Sequence, residues 1–164
     1  MDLKLPGYES EVVEGLRSRG LVERSLVCST WGESLDRLGR AEPGLRRGWS
    51  LPRARRDYTQ VALVSLLARL YLRAMASWLP DEAARRLRDG RCEAVMAHHL
   101  LVGPDLVEAV HAEGGLLYAW TVDDAPTIAA LDALGVDGVI TNDPRLFDSH
   151  SLPPPPRAAR SLLP

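Results

Sequence analysis

Leu117-Tyr118-Ala119-Trp120-Thr121-Val122-Asp123-Asp124 and, one helical pattern later, Gly135-Val136-Asp137-Gly138-Val139-Ile140-Thr141-Asn142-Asp143-Pro144 decide the fold of this chain. Both contain a short apolar, β-rich run that gives way to aspartates. Between them Asp124 stands as an N-cap, Pro126 falls in the first helical turn, and Gly135 sits where a helix ends in a left-handed residue. Strand, helix and strand in so little sequence read as a crossover unit joining parallel strands.

Toward the N-terminus the alternation repeats. The pattern predicts a helix over 104–112 stopped by Gly114-Gly115, and a strand over 93–97. Before them runs a longer apolar helix marked by Val61, Val64, Leu67, Tyr71, Met75 and Trp78. Pro80 and Asp81 punctuate it, and a new helix is expected from Asp81 to about residue 87. Further back come a strand over 45–51 ending in Pro52, a short helix over 32–39 and a strand over 25–29. A helix over 9–19 carries Val12, Val13 and Leu16 on one face, and a very short run over 3–5 abuts the chain start. About six βα units result, whereas a closed (β/α)8 barrel needs eight and typically takes about 250 residues. The 164-residue chain is therefore short by roughly two units, at the front. The fold expected is α/β: an incomplete (β/α)8 TIM barrel, its last six βα units lying within 1–147, with a helical insertion around 59–90. Residues 148–164 read as a Pro-rich tail, disordered or polyproline II, containing four consecutive prolines.

A formal net charge of −2 gives no electrostatic footprint for nucleic acid, so no such partner is expected. Cys28 and Cys92 have no CxxC partners, which argues against a disulfide framework or a structural zinc site. Residues 61–79 form the most apolar long stretch, but Arg69 and Arg73 interrupt it. Such charges are costly at a bilayer centre, so the stretch reads as a buried or interfacial helix and no transmembrane segment is expected. No signal-peptide pattern follows Met1, and a cytoplasmic location is expected for the chain as written.

The two opening motifs, in that order and one helix apart, resemble the end of the glycerophosphodiester phosphodiesterase (GDPD) family. There a strand ending in Trp-Thr-Val precedes a last strand of the form Gly-Val-Asp-Gly-Ile-Ile-Thr-Asp-x-Pro. Asp2-Leu3-Lys4 resembles the family's Glu-x-Lys strand end, and Leu26-Val27-Cys28-Ser29-Thr30-Trp31 its Val-x-x-Ser-Ser-Phe strand. Gly48-Trp49-Ser50-Leu51-Pro52-Arg53 through Asp57-Tyr58-Thr59, with Ala94-Val95-Met96-Ala97-His98-His99, resemble an actinobacterial-type branch. The resemblance implies a phosphoric diester hydrolase of glycerophospholipid metabolism. Its substrate would be a small glycerophosphodiester, cleaved with a divalent cation (Mg2+ or Ca2+) to glycerol 3-phosphate and an alcohol. It further implies Asp2 as a metal ligand, Lys4 as the catalytic phosphate contact and Trp120 as a wall of the glycerol pocket. Ser29 and His98 are further candidate substrate contacts.

Those residue types suit that chemistry. Phosphodiester hydrolysis needs charge stabilisation on the non-bridging oxygens, which a carboxylate-held hard cation and a lysine point charge supply. Asp2 and Lys4 occupy alternate positions of a strand, so both project from one face. His98 and His99, adjacent at a strand end, are expected to face opposite sides. The loop over 141–144 reads as an Asx-type turn, Asp123 and Asp124 as helix caps, His111 as a surface residue, and Arg53, Arg55 and Arg56 as a solvated charge run.

The departures from the family pattern carry equal weight. Its His-Arg pair followed by Glu-Asn, its Glu-x-Asp and its His-Asp do not occur in this chain. Asp2 stands where Glu is usual, which pulls a ligand back by about 1.5 Å, one C–C bond. Asn142 stands where Asp is usual. The chain as given is thus expected to be inactive or nearly so, to hold no cation alone, and to aggregate, pair edge to edge or stay partly molten. Two rival readings stay open: a non-catalytic phosphate-binding partial barrel or interaction module using Lys4 and Trp120, and a glycosidase, which would need paired carboxylates across a pocket.

Overall fold

A computed structural model describes residues 1–52 and 62–147. The arginine run at 53–56 and the Pro-rich tail fall outside the described residues. Strands β1 (Asp2–Leu3), β2 (Leu26–Ser29), β3 (Arg46–Leu51), β4 (Ala94–His98), β5 (Leu116–Trp120) and β6 (Gly138–Val139) form one six-stranded sheet in sequence order. Every pairing is parallel. Helices α1 (Glu9–Arg17), α2 (Gly32–Ala41), α3 (Ala62–Arg88), α4 (Pro104–Ala112) and α5 (Ala125–Leu134) make the crossovers. This is the α/β alternation read from the sequence, an open stretch of barrel wall.

Strand registry sorts the side chains onto two faces, because paired residues in neighbouring strands point the same way. Leu3, Val27, Leu51, Val95, Ala97 and Leu117 join one large core with Val13, Leu16, Leu35, Leu38 and Val110 of the helices. The opposite face carries Cys28, Ala94 and Met96, flanked by Leu116, Tyr118 and Trp120. Asp2, Cys28, Gly48, Ala94 and Leu116 form a continuous rung across five strands. Gly48 is needed there: a Cβ would lie 2.9 Å from Cys28 Sγ and 3.3 Å from Met96 Cγ.

The last crossover is built as its sequence predicts. The Asp124 carboxylate accepts from the Thr127 amide at 2.8 Å, and Gly135 ends α5 at φ 89. At the opposite end of the unit, Asp137 Oδ2 accepts from the Leu117 amide (2.7 Å) and lies 2.9 Å from His111 Nε2. His111, expected as a plain surface residue, thus helps pin α4 to the start of β6.

The region around Pro80 corrects the expectation of two helices. α3 runs unbroken for 27 residues with Pro80 inside it. Proline removes one helical hydrogen bond and crowds the preceding turn. Packing outweighs that cost: Met75, Leu79, Ala83 and Leu87, each four residues apart, are all buried along one stripe spanning the proline. The adjacent Arg86 guanidinium lies 4.2 Å from the centroid of the Trp49 ring.

Glu9 is the one buried acid among the described residues. It sits at the start of α1, accepts from Ser34 Oγ of α2 at 2.5 Å and from the Gly7 amide at 3.1 Å, and faces Arg37 at 3.7 Å. Burial pushes its pKa up, but the Ser34 hydroxyl, the backbone amides and Arg37 together hold it below the ordinary value of 4.5. A depressed carboxylate stabilises the fold above its unfolded pKa, and that stabilisation is lost as pH falls through the folded value. Glu9→Ala should cost about 1–3 kcal/mol at pH 7, the range for a buried hydrogen-bond partner left alone. Urea titrations at pH 7 and pH 3 check this: the gap between the two proteins should narrow at the lower pH, and a constant gap would assign the loss to packing alone.

Candidate functional site

At the C-terminal ends of the strands the face opposite the helices encloses a cavity of about 650 Å3. Its wall runs from Asp2 and Lys4 beside β1, through Cys28, Ser50 and Met96, to Trp120 of β5 and Ile140 beyond β6. Both flanks of the sheet reach one hollow, so the sheet curls around it. This is the end of a parallel sheet where βα loops build sites.

Lys4 Nζ and Asp2 Oδ2 are 2.5 Å apart, with Lys4 82% and Asp2 40% exposed at the side chain. Exposed ion pairs of this kind contribute little, so an arriving anion can compete for the ammonium. The rest of the β1–β2 corner is fixed by Ser29. Its buried hydroxyl donates to the Leu3 carbonyl and accepts from the Trp31 amide, both at 3.1 Å. Ser29 does not line the cavity; it positions Trp31, which does, and whose Nε1 donates to the Lys4 carbonyl at 3.4 Å.

Trp120 lies across the open face with its Nε1 donating to the Met96 carbonyl at 2.8 Å. That bond ties the indole of this cavity-lining residue to β4, and the peptide to Thr121 is cis. His98 pairs with Trp120 across β4 and β5 and meets its ring edge-on at 5.4 Å. His98 is outside the cavity lining, and its Nδ1 accepts from the Leu100 amide at 3.3 Å. The expectation that His98 and His99 face apart is corrected. β4 ends at His98, a 3-10 turn over His99–Leu101 follows, and the two rings stack at 4.5 Å. Strand alternation does not survive into a turn.

The aspartates after β5 divide their work. Asp123, read as a helix cap, instead grips the loop after β6. It accepts from the Asn142 amide and side chain, each at 2.8 Å, and from Thr141 Oγ1 at 3.1 Å. The Asn142 amide, then its side chain, then Thr141 hold the Asp123 carboxyl below its usual pKa. Asp143 closes the expected Asx turn by accepting from the Arg145 amide, and its carboxylate also pairs with the Arg145 side chain. Asn142, where the family pattern carries Asp, thus donates to an acid rather than offering one.

Could these residues hold a cation? Among the described residues no cluster of three or more His, Cys, Asp or Glu is placed to share one. Of the acids described, only Asp2 lines the cavity, and Lys4 already pairs with it. A hard cation such as Ca2+ takes about six to eight oxygens, so this donor set alone does not fit one. Cys28 adds none: burial raises its thiol pKa to about 11.

Sequence reasoning missed Ser50, Met96 and Ile140. Met96 was legible as an alternate position of its strand, but Ser50 and Ile140 needed the curl of the sheet.

Parallel strands with returning helices, and a cavity at the strand ends bearing a lysine and a tryptophan, define an incomplete (β/α)-barrel domain. The chain belongs to the Glycerophosphoryl diester phosphodiesterase family, whose profile matches residues 45–146. Glycerophosphodiester phosphodiesterase GDPD4 of Arabidopsis thaliana is 41% identical over 61 residues, covering 37% of this chain and 19% of that protein. The crystal structure of a glycerophosphodiester phosphodiesterase from Parabacteroides distasonis superposes with a TM-score of 0.62 at 15% identity, covering 86% of this chain and 48% of its own. An Oleispira antarctica phosphodiesterase in complex with the product sn-glycerol-3-phosphate superposes with a TM-score of 0.56 at 19% identity, covering 87% and 50%. At these identities the solved structures establish the fold. The chain spans about half the length of those two structures and 19% of the Arabidopsis protein. The family is generally metal-dependent.

Proposed function

We propose that this chain carries the phosphate- and glycerol-binding part of a glycerophosphodiester phosphodiesterase site, with residues 1–147 as the barrel part and 148–164 as a separate tail. The parent reaction is hydrolysis of a glycerophosphodiester to glycerol 3-phosphate and an alcohol, with Mg2+ or Ca2+. The convergence of Lys4, Asp2 and Trp120 on a single cavity carries the reading. Lys4 donates to a non-bridging phosphate oxygen, the Trp120 face packs the glycerol carbons, and Asp2 offers one carboxylate. Ser29 and His98 act behind them, one fixing the β1–β2 corner and the other the edge of the Trp120 ring. The Oleispira complex with sn-glycerol-3-phosphate supports this ligand class.

Calorimetry of glycerol 3-phosphate binding tests it. Lys4→Met should weaken binding about tenfold, the lower end for a charged hydrogen bond. Trp120→Ala should weaken glycerol 3-phosphate while leaving inorganic phosphate nearly unaffected. Binding that ignores both substitutions rules the cavity out. The rival phosphate-binding module predicts the same affinities, and restoration of turnover by a polypeptide supplying the family's remaining acids and histidine separates the two.

A further inference from the structure

β6 is weakly anchored by packing. It is two residues long, and Gly138 and Val139 are both only partly buried. Tyr118 pairs with Gly138 and Ala119 with Val139, so extending the register by one residue sets Ile140 opposite Trp120. Both of those residues line the cavity. On the β5 side Ala119 and Val122 are buried, whereas Ile140 is 42% exposed. Hydrogen bonds therefore do most to place Ile140. Its amide donates to the Ala119 carbonyl at 2.8 Å, and its carbonyl accepts from the Val122 amide at 3.0 Å.

The next link outward is made of side chains. Asp123 Oδ1 accepts from the Asn142 amide and from Thr141 Oγ1, and Oδ2 accepts from Asn142 Nδ2 at 2.8 Å. A carboxylate only accepts, so Asn142 must turn its NH2 group toward it. An acid at position 142 would instead set carboxylate oxygen against carboxylate oxygen, with like charges facing. The surroundings would not relieve that repulsion. Asp124 follows in the chain and is itself faced by His99, and the nearby Asp143 already holds Arg145.

We infer that Asp123 and Asn142 form a latch that positions Ile140 opposite Trp120 as one wall of the cavity. On the phosphodiesterase reading, Asp123 is then a positioning residue for the glycerol moiety. The latch itself stands on geometry, and only its effect on the ligand rests on that reading.

Amide hydrogen exchange of the 164-residue chain, followed residue by residue by NMR, tests the latch without any ligand. At pH 7 Asn142→Asp should speed exchange at Ile140 and Val122 about tenfold, while Val95 in the middle of the sheet stays protected and reports that the fold is kept. Asp123→Asn alone should act mildly, because two carboxamides can still bond each other. Asp123→Asn combined with Asn142→Asp swaps donor and acceptor: the new carboxamide keeps an oxygen for the backbone amide and Thr141 and offers its NH2 to the new carboxylate. Protection should return. Lowering the pH to about 4.5 should also bring Asn142→Asp closer to the parent at the same pH, since two facing carboxylates come to share a proton. Affinity for glycerol 3-phosphate should follow the same order, weakened about threefold or more by Asn142→Asp and recovered in the swap. Unchanged exchange at Ile140 in Asn142→Asp, or a swap that fails to restore it, overturns the latch. Faster exchange with unaltered affinity overturns the positioning role. If the parent chain binds no glycerol 3-phosphate, the phosphodiesterase reading fails, and amide exchange still decides the latch.

Discussion

Glycerophosphocholine incubated with this chain and Mg2+ or Ca2+ should release choline no faster than buffer does. Three things are needed: charge stabilisation on the phosphoryl oxygens, an aligned nucleophile and a proton for the departing alkoxide. The described residues supply a part of the first. Lys4 brings one positive charge, and Asp2 is the only described acid lining the cavity. No histidine is in that lining among the described residues; His98, which meets the Trp120 ring, engages the Leu100 amide through Nδ1. Enzymes gain about a millionfold or more over solution, and such gains vanish when the reacting groups are not held together. A coupled choline assay run beside glycerol 3-phosphate calorimetry reads both halves of the claim. Turnover of about 1 s−1, ordinary for an enzyme, would show that the cavity suffices by itself. Binding without turnover is the expected outcome.

Leu79→Ala should remove about 2–5 kcal/mol of folding stability, the range for emptying a packed leucine site. Domains of this kind are stable by only about 5–15 kcal/mol, so a loss of that size is a large fraction of the whole. Leu79 is 0% exposed and immediately precedes Pro80 in the middle of α3. Its neighbour Trp78, pointing outward, serves as the control: Trp78→Ala should change stability far less, as surface substitutions do. Urea midpoints with unchanged slopes give the comparison. Two equally small effects would mean that α3 does not pack through the proline.

Expectation and structure part company at identifiable places. The helix-breaking reading of Pro80 follows from backbone chemistry alone, and burial of Leu79 and Ala83 on either side overrides it. The opposed faces of His98 and His99 assume a strand that has already ended. The Ser29 hydroxyl, a candidate substrate contact by its motif, donates to the Leu3 carbonyl and accepts from the Trp31 amide, bonds the sequence does not announce. The expected edge pairing also meets a limit: β1 and β6 are two residues each, which offers a short template to another strand.

Local chemistry settled what depends on neighbours in the chain. Asp124 and Gly135 bound α5 because a cap and a left-handed turn need only adjacent backbone, and the regular alternation of strand and helix forces a parallel sheet. Which acid meets which partner was settled by tertiary structure alone. Asp123 reaches Asn142 and Trp120 reaches the Met96 carbonyl only once the strands lie side by side. Asp2, Met96 and Ile140 share a cavity only because the sheet curls, as the twist and tilt of neighbouring parallel strands require.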